Sequence, residues 1–325
     1  MPISKAMQAA LHALSYPEPD IRRTYRLERE VKRLGGRLAP PAGYMVHTVD
    51  SCFCFSAHTV PMRVYIPENI LENSPVLLFF HGGGWVMGCV ESYDSVCRRL
   101  AHFTGCTVVS VEYRLAPENP FPAGLEDCYA VTEALFDGCI LPDIGTRPII
   151  LVGDSAGGNL AAAVSLMARD QKKNFPDGQI LIYPALYYDY GEGNPYSSVR
   201  DNGEDYLLTA RRMQEFIEMY KGESTAGPSP YFAPLLAGDF SGQPPTLLIT
   251  AEYCPLRDEG EDYADKLGSA GVVVRLCRVP DALHNFFCLS EKFPAVRQSF
   301  EEICAFLTEN FHIQCPVLPW DMSQT

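Results

Sequence analysis

The sequence predicts an α/β fold with a mostly parallel central sheet and helices on both of its faces. Short apolar segments typical of strands alternate along the chain with amphipathic segments typical of helices, which is the pattern of parallel sheets joined by crossover helices. Two glycine-rich turns follow strand candidates, at the sheet edge where open α/β sheets bind their ligands. The 325 residues, 47% of them hydrophobic, are enough for one large domain or two small ones.

The strand candidates are short apolar runs at Arg63–Ile66, Val76–Phe80, Thr107–Tyr113, Ile149–Val152, Gln179–Tyr183, Thr246–Thr250 and Val272–Arg275. The helix candidates lie between and after these runs, at Tyr93–Thr104, Gly124–Phe136, Gly158–Asp170, Glu259–Ala270 and near Pro294–Asn310. A further charged helix is predicted over residues 20–34, and Gly35-Gly36 is expected to end it.

Residues 185–231 separate two strand candidates by more than a single crossover needs. They contain several tyrosines and the helical segment TARRMQEFIEMY, which favours a lid or a binding element over a simple loop. We therefore expect residues 1–45 to form an N-terminal helical cap segment and 185–231 to form a cap insertion. The core would comprise residues 46–184 and 232–325, with the cap above the carboxyl ends of the strands.

The chain is acidic, with 26 lysines and arginines against 40 aspartates and glutamates and a net charge of −14. Such a charge disfavours binding to nucleic acid and to anionic lipid surfaces. The N-terminus has no long apolar segment with a cleavage site, and no apolar run reaches transmembrane length. These features predict a cytoplasmic protein without membrane or nucleic-acid partners, whose partner is a small molecule, and they leave homo-oligomerisation open.

The twelve cysteines favour neither a disulfide framework nor a metal site. Cys52 and Cys54 form an isolated pair without a second pair at metal-ligand spacing, and most of the others lie in apolar runs. We expect buried free thiols in a reducing compartment, and no metal.

The strongest motif is 153-GDSAG-157, between a predicted strand and a predicted helix. A G-x-S-x-G sequence in this context is typical of a nucleophile elbow, in which the serine sits on a turn too tight for flanking side chains. Ser155 would stand at the start of a helix, whose N-terminus favours the negative charge that develops on a substrate oxygen. The alternative is an incidental glycine-rich turn.

A second motif, 81-HGGGW-85, follows the strand candidate VLLFF. Loops of this type supply backbone N–H groups to an oxyanion hole, together with the N–H of the residue after the nucleophile. Gly83, Gly84 and Ala156 are the predicted donors, while His81 is expected to order the loop. The alternative is an ordinary strand-to-helix turn.

The predicted general base is His284, in the run 279-VPDALHNFFCLS-290 after the last strand candidate. It follows Ser155 in chain order, as the serine, acid and histidine order of such hydrolases requires. The alternative is a structural histidine with satisfied hydrogen bonds.

The chain resembles the hormone-sensitive-lipase-like group of α/β-hydrolases, which includes bacterial carboxylesterases and arylacetamide deacetylase. The matching segments are HGGGW at 81–85, YRLAPE with FPA at 113–123, GDSAGG at 153–158, YP at 183–184, AEY-PLRDEG at 251–260 and the region of His284. The resemblance implies an α/β-hydrolase core with a helical cap, and hydrolysis of short-to-medium acyl esters without a cofactor. It assigns Ser155 as nucleophile and His284 as base.

Two positions depart from the family pattern. The family usually has Gly-Phe after the histidine, where this chain has Asn285-Phe286, and asparagine tolerates unusual backbone angles. The family block reads DPLRDEG, and its first aspartate is the triad acid; here that position is Cys254. A thiol is a weak acceptor and is mostly neutral at pH 7, with a usual pKa near ~8.5, so it orients and stabilises the histidine poorly.

Three carboxylates could replace the missing acid: Glu252, Asp258 and Asp189. Asp258 followed by Glu261 fits the N-cap of a helix, which favours a capping role for Asp258. The order of the elements places Trp85, Tyr188, Met213 and Phe216 in a substrate pocket, although packing within the cap explains them equally well.

The favoured function is a serine carboxylesterase that lacks the usual acid. One alternative is a catalytically weakened homologue that binds a small molecule, which Cys254 favours. The other alternative is an amidase or deacetylase, which a weak triad disfavours because the leaving group needs better protonation.

Overall fold

A computed structural model describes residues 19–38, 43–55, 58–71, 73–141, 145–223, 225, 227–316 and 318–320. Within these ranges the chain forms eight strands, β1 (Val46–Phe55), β2 (His58–Pro67), β3 (Val76–Phe80), β4 (Thr107–Val111), β5 (Ile149–Asp154), β6 (Gly178–Ile182), β7 (Thr246–Tyr253) and β8 (Val274–Leu283). The same ranges contain eight α-helices, α1 (Ile21–Leu38), α2 (Asp94–Thr104), α3 (Ala123–Phe136), α4 (Ala156–Gln171), α5 (Ser197–Asn202), α6 (Ala210–Lys221), α7 (Arg257–Ser269) and α8 (Pro294–Phe311).

The eight strands form one sheet in the order β1-β2-β4-β3-β5-β6-β7-β8. The pairs β1–β2 and β2–β4 are antiparallel, and every other pair is parallel. Strands β3, β4, β5 and β6 are buried along their whole length, which explains why they are continuous apolar runs in the sequence. The predicted fold class, an α/β fold with a mostly parallel sheet, is confirmed.

The chain reverses direction across the sheet between β3 and β5. From β3 it moves outward to β4, then returns past β3 to β5 and continues to β6. Because parallel crossovers are right-handed, this reversal places α2 and α3 on opposite faces of the sheet. The helix contacts agree, since α3 packs against α4 and α2 packs against α8. A ligand crevice is expected where the carboxyl ends of β3 and β5 diverge.

The helix at the N-terminal side runs through Gly35-Gly36 and ends at Leu38, so the prediction that it stops at these glycines is wrong. The physical reason is packing. A Cβ on Gly36 would collide with the backbone of Glu91 and Ser92, in the 3₁₀ turn Glu91–Tyr93. Gly36 therefore permits close approach between two elements.

Strand β1 and the short helix α5 were not among the predicted elements. β1 is an edge strand whose residues are mostly exposed, so its sequence lacks the apolar run that identifies the inner strands. α5 has six residues, too few for a helical periodicity.

The segment 185–231 holds α5 and α6 in the connection between β6 and β7. α6 contacts α1, where the N–H of Ile21 donates to the carboxylate of Glu215 across 3.2 Å. Much of the predicted cap segment 1–45, namely residues 1–18 and 39–42, lies outside the described residues. No helix of the described ranges combines the length and the apolar character needed to cross a membrane.

Candidate active site

Ser155 stands on a strained turn between β5 and α4. Its backbone has φ 55° and ψ −119°, a combination that is unfavourable for a residue with a Cβ. A Cβ at either flanking glycine would collide with backbone, at Gly153 with Gly157 and at Gly157 with Phe80. The turn therefore requires glycine at both places, and it presents Ser155 at the carboxyl end of β5, where the crevice is expected.

The loop after β3 runs beside this turn. Gly83 and Gly84 have φ of 121° and 61°, which glycine adopts without strain. The carbonyl of Gly83 accepts hydrogen bonds from Val86 and Met87 and so closes a tight turn. In the described part of the chain, the N–H groups of Gly83 and Gly84 donate to no acceptor, and Ala156 is the first residue of α4, where N–H groups lack helical partners.

His81 is fully buried at the start of this loop. Its ring stacks on Tyr113 with centroids 4.4 Å apart, and its Nδ1 lies 3.0 Å from the carbonyl oxygen of Gly82. Burial lowers the pKa of His81 to about 4, so the ring is neutral at pH 7. These contacts hold His81 against the loop and against Tyr113.

Asp154 ties the loop after β3 to the serine turn. Its carboxylate accepts hydrogen bonds from the N–H of Gly82 at 2.8 Å and from the hydroxyls of Tyr93 at 3.0 Å and Tyr183 at 3.5 Å. Burial raises the pKa of Asp154 to about 7, while these three donors oppose the rise. Asp154 was not among the predicted site residues, although an aspartate at the end of the apolar run of β5 is itself a signal of a buried hydrogen-bonding centre.

His284 follows β8 and lies between the serine and the cysteine. Its Nε2 is 3.0 Å from Oγ of Ser155, and its Nδ1 is 3.1 Å from Sγ of Cys254. Desolvation of the ring lowers the pKa of His284 to about 3. Asn285, the next residue, has φ 68°, the left-handed conformation expected where the family pattern has glycine.

Cys254 lies at the carboxyl end of β7, and its side chain is fully buried. Sγ also accepts a hydrogen bond from the N–H of Leu256 across 3.4 Å. Burial raises the pKa of the Cys254 thiol far above its usual range, so the group at this position is a neutral thiol. The site therefore brings a serine, a histidine and a thiol into one chain of contacts, without a negative charge on the third group.

Asp258 does not reach the histidine, and it is not an N-cap. Helix α7 begins at Arg257 with Leu256 as its N-cap, so Asp258 lies inside the first turn and the predicted capping role is wrong. Its carboxylate accepts from Oγ of Ser197 at 2.8 Å and from the N–H of Ser198 at 2.7 Å. Asp258 therefore holds the first turn of α5, because helix ends leave N–H groups that need acceptors.

The other two candidate carboxylates also bind elsewhere. Glu252 accepts the N–H of Asp281 at 2.7 Å, and Asp189 accepts the N–H of Gly191 at 2.9 Å. Among the described residues, the hydrogen-bond partner of Nδ1 of His284 is the sulfur of Cys254.

Of the four predicted pocket residues, Met213 and Phe216 lie on α6, whereas Trp85 and Tyr188 lie in loops. Phe216 on α6 lies against the loop after β3, since a Cβ on Gly84 would collide with its ring. Met213 is one helical turn earlier and is also buried.

Trp85 is buried by stacking on Tyr220, with ring centroids 4.5 Å apart and an interplanar angle of 4°. Tyr188 is half-buried and packs against Tyr187 at 4.6 Å. Of the four side chains, the ring of Phe216 is the one that lies against Gly84.

The buried carboxylate of Glu259 binds the start of the segment 185–231. Glu259 on α7 is fully buried, and its Oε1 accepts from the N–H of Leu186 at 2.7 Å and the hydroxyl of Tyr190 at 2.9 Å. Burial raises the pKa of Glu259 to about 8, against the effect of these donors. Glu259 fixes the start of the segment 185–231 where it leaves the sheet.

A family model described as an alpha/beta hydrolase fold matches residues 77–288. An arylesterase of Saccharolobus solfataricus is 35% identical over 263 residues, covering 80% of this chain and 83% of that protein. An ethyl acetate hydrolase of Pseudomonas putida is 35% identical over 232 residues, covering 70% of this chain and 72% of that protein. The crystal structure of a hyperthermophilic esterase from the archaeon Pyrobaculum calidifontis superposes with a TM-score of 0.81 at 36% identity, covering 95% of this chain and 99% of that one.

Proposed function

The chain belongs to the hormone-sensitive-lipase-like group of the alpha/beta hydrolase family and is a carboxylic ester hydrolase, and we propose that it cleaves short-to-medium acyl esters. In this proposal Ser155 is the nucleophile, His284 is the general base and Cys254 replaces the usual acid. The observation that carries it is the position of His284, whose two ring nitrogens contact the serine oxygen and the cysteine sulfur at 3.0 and 3.1 Å.

The first half of the reaction transfers the acyl group to the protein. Oγ of Ser155 attacks the ester carbonyl and its proton passes to Nε2 of His284. The negative charge on the carbonyl oxygen is stabilised by the N–H groups of Gly83, Gly84 and Ala156. His284 then donates its proton to the leaving alkoxide oxygen, the C–O bond breaks, and the alcohol departs.

In the second half of the reaction, water is the nucleophile and Ser155 is the leaving group. His284 removes a proton from a water molecule, the hydroxide attacks the acyl-serine carbonyl, and the proton returns to Oγ of Ser155 as the acid is released. Every group in this cycle belongs to the chain, the substrate or water, so the proposed reaction requires no metal or organic cofactor.

Cys254 positions the imidazole in this scheme but stabilises its charged form weakly. The productive tautomer has a proton on Nδ1, and this N–H can donate to the sulfur. The sulfur already accepts the N–H of Leu256, which favours its use as an acceptor. The neutral thiol, however, offers no negative charge to the imidazolium, so proton transfer from Ser155 is more costly than with a carboxylate. We therefore propose an active but slow centre.

The proposed acyl size is supported by two observations. The ring of Phe216 lies against the oxyanion loop, where an acyl chain has to pass. A related protein carries the name ethyl acetate hydrolase, and ethyl acetate has a two-carbon acyl group. We further propose that residues 1–45 and 185–231 form a cap over a core of residues 46–184 and 232–325, in a cytoplasmic protein.

The neutral thiol favours one second candidate, a small-molecule binder that has kept the pocket and lost turnover. It disfavours an amidase or deacetylase, because an amine leaving group needs stronger protonation by His284.

The test is hydrolysis of p-nitrophenyl acetate and p-nitrophenyl butyrate by the purified protein, beside Ser155→Ala and the control Ser290→Ala. We expect turnover in the unmodified chain and in Ser290→Ala, and none above background in Ser155→Ala. Equal turnover in the unmodified chain and Ser155→Ala would overturn the assignment of the nucleophile. A protein that binds these esters without releasing p-nitrophenol would instead support the binder.

A further inference from the structure

Helix α1 presents an apolar stripe to solvent. Leu27, Val31, Leu34 and Leu38 are exposed to between 52% and 81%, although large apolar side chains elsewhere in the molecule are mostly buried. Their spacing of four, three and four residues places them within about 60° of one another around the helix axis. The stripe is therefore continuous over three helical turns.

The stripe points away from the described core of the protein. The buried side of α1 carries Ile21 and Tyr25, and Gly36 packs on the backbone of Glu91. At about 100° per residue, Tyr25 and Gly36 lie roughly opposite the stripe. An amphipathic helix normally turns its apolar side to the core, so among the described residues this stripe lacks the apolar partner that such a helix has.

The same helix is strongly basic within an acidic chain. Its 18 residues include seven arginines or lysines and two glutamates, whereas the whole chain has a net charge of −14. Four exposed arginines lie along one side of the stripe: Arg23, Arg26, Arg33 and Arg37. Arg26 also donates to the hydroxyl of Tyr25, and Arg23 lies 4.0 Å from Asp20. Within Ile21–Leu38, the acidic side chain on this border is Glu30.

We propose that α1 is an interfacial helix that docks the protein on an anionic lipid surface. The apolar stripe would enter the boundary between headgroups and acyl chains, and the flanking arginines would contact lipid phosphates. An exposed apolar ridge bordered by cations has the composition of helices that lie in the plane of a membrane. The helix lies on the surface in this proposal and does not span it.

Two other partners fit the helix less well. A second copy of the chain, paired stripe to stripe, would bring two sets of arginines together and repel itself. Nucleic acid would match the arginines but would leave the four apolar side chains without a partner, because its exposed backbone is polar. The overall charge of −14 opposes approach to anionic lipid at long range, but salt screens charges beyond roughly 10 Å, so the helix dominates at contact.

The helix is rigidly attached beside the catalytic loop. The guanidinium of Arg29 donates to the carbonyls of Val86 at 2.6 Å and Ala116 at 2.5 Å, and Arg22 donates to Glu218 of α6 at 3.0 Å. Val86 directly follows the loop HGGGW. A lipid surface bound to the stripe would therefore lie across α1 from α6 and the loop HGGGW.

The experiment measures binding of the full chain to vesicles by flotation. It uses the Ser155→Ala protein, so that ester cleavage does not alter the lipid. Vesicles of phosphatidylcholine alone are compared with vesicles that also contain phosphatidylglycerol, at low and high salt. We expect binding to the anionic vesicles and about a tenfold or greater loss at high salt. Absence of binding, or equal binding to both vesicles, overturns the proposal.

Two sets of variants, each with a matched control, locate the surface. The stripe variant changes Leu27, Val31, Leu34 and Leu38 to Gln, and its control changes the exposed residues Ile70, Val273 and Phe293 to Gln. The charge variant changes Arg23, Arg26, Arg33 and Arg37 to Gln, and its control changes Lys172, Lys221 and Lys292 to Gln. We expect each variant to bind at least tenfold more weakly than its control, with unchanged thermal unfolding. Binding that survives both variants overturns the proposal, as does a dimer in light scattering that the stripe variant dissociates.

Discussion

The sulfur of Cys254 lies 3.1 Å from Nδ1 of His284, on the side of the imidazole opposite Ser155. This contact occupies the place where an acid of the family pattern would accept a hydrogen bond. The geometry of a catalytic triad is thus present, while the charge of its third member is absent. The effect of this geometry and the effect of the missing charge can be separated by experiment, because substitutions at Cys254 change the group that contacts Nδ1 of His284.

We expect Cys254→Asp to raise kcat by roughly 10²-fold or more, within the ~10⁴-fold that the acid is worth in serine proteases. The carboxylate would fix the tautomer of His284 and stabilise its charged form. Cys254→Ser, the control, should stay within about tenfold of the unmodified protein, because a hydroxyl is also neutral. Steady-state hydrolysis of p-nitrophenyl butyrate measures both. If Cys254→Asp is folded and no faster, the neutral thiol does not limit the reaction.

The pH dependence of kcat/KM should report the environment of His284. Desolvation lowers the pKa of its ring to about 3, so activity should persist as the pH falls well below 6.5. Below its pKa the ring is protonated and can no longer accept the proton of Ser155. In Cys254→Asp the nearby negative charge raises the pKa of His284, so the acidic limb should move to higher pH. Identical limbs in the two proteins would contradict this account.

Shortening Phe216 should widen the acyl preference. We expect Phe216→Ala to raise the ratio of kcat/KM for p-nitrophenyl octanoate over acetate by about 10-fold or more, because the ring beside Gly84 no longer limits the acyl chain. The control is Phe293→Ala, at an exposed position. Phe216→Leu keeps more of the buried volume and should shift the ratio in the same direction but less. An unchanged ratio in both Phe216 variants would remove this residue from the pocket.

The titration of Glu259 should lower the free energy of unfolding as the pH rises. Its pKa is raised by burial to about 8, from 4.5, so the native state binds this proton more tightly than the unfolded state does. The contribution of Glu259 to the free energy of unfolding is present below about pH 4.5 and is lost as the pH rises towards 8, by up to about 5 kcal/mol.

Urea unfolding at several pH values measures this effect. Glu259→Gln should flatten the fall in the free energy of unfolding between pH 5 and 8, whereas the exposed control Glu192→Gln should leave it unchanged. Asp154, with a pKa of about 7, lowers the free energy of unfolding over the same pH range in the unmodified chain and in Glu259→Gln. The difference between these two proteins therefore isolates the contribution of Glu259. An identical pH dependence in Glu259→Gln and the unmodified chain would show that this carboxyl titrates normally.

The order of most elements and the presence of Ser155 and His284 in the candidate site followed from local sequence. The buried strand Val76–Phe80 was predicted at its observed bounds because its residues are uniformly apolar and are flanked by a proline and a histidine. The serine turn was predicted because its backbone can be built only with glycine at both flanks. Such features depend on a few neighbouring residues, and neighbouring residues are what a sequence displays.

The features that could not be predicted depend on contacts between distant parts of the chain. Gly36 continues a helix because the backbone of Glu91 packs on it, and Asp258 binds the first turn of α5 because residues 60 positions apart meet in space. The same holds for the choice between Cys254 and three carboxylates as the partner of His284.

The sequence alone determined that a serine, a histidine and an altered acid position share this site, since motif and chain order suffice for that. Only the tertiary structure placed the neutral sulfur, and no carboxylate of the described residues, against Nδ1, because hydrogen bonds depend on distance in space and not on distance along the chain.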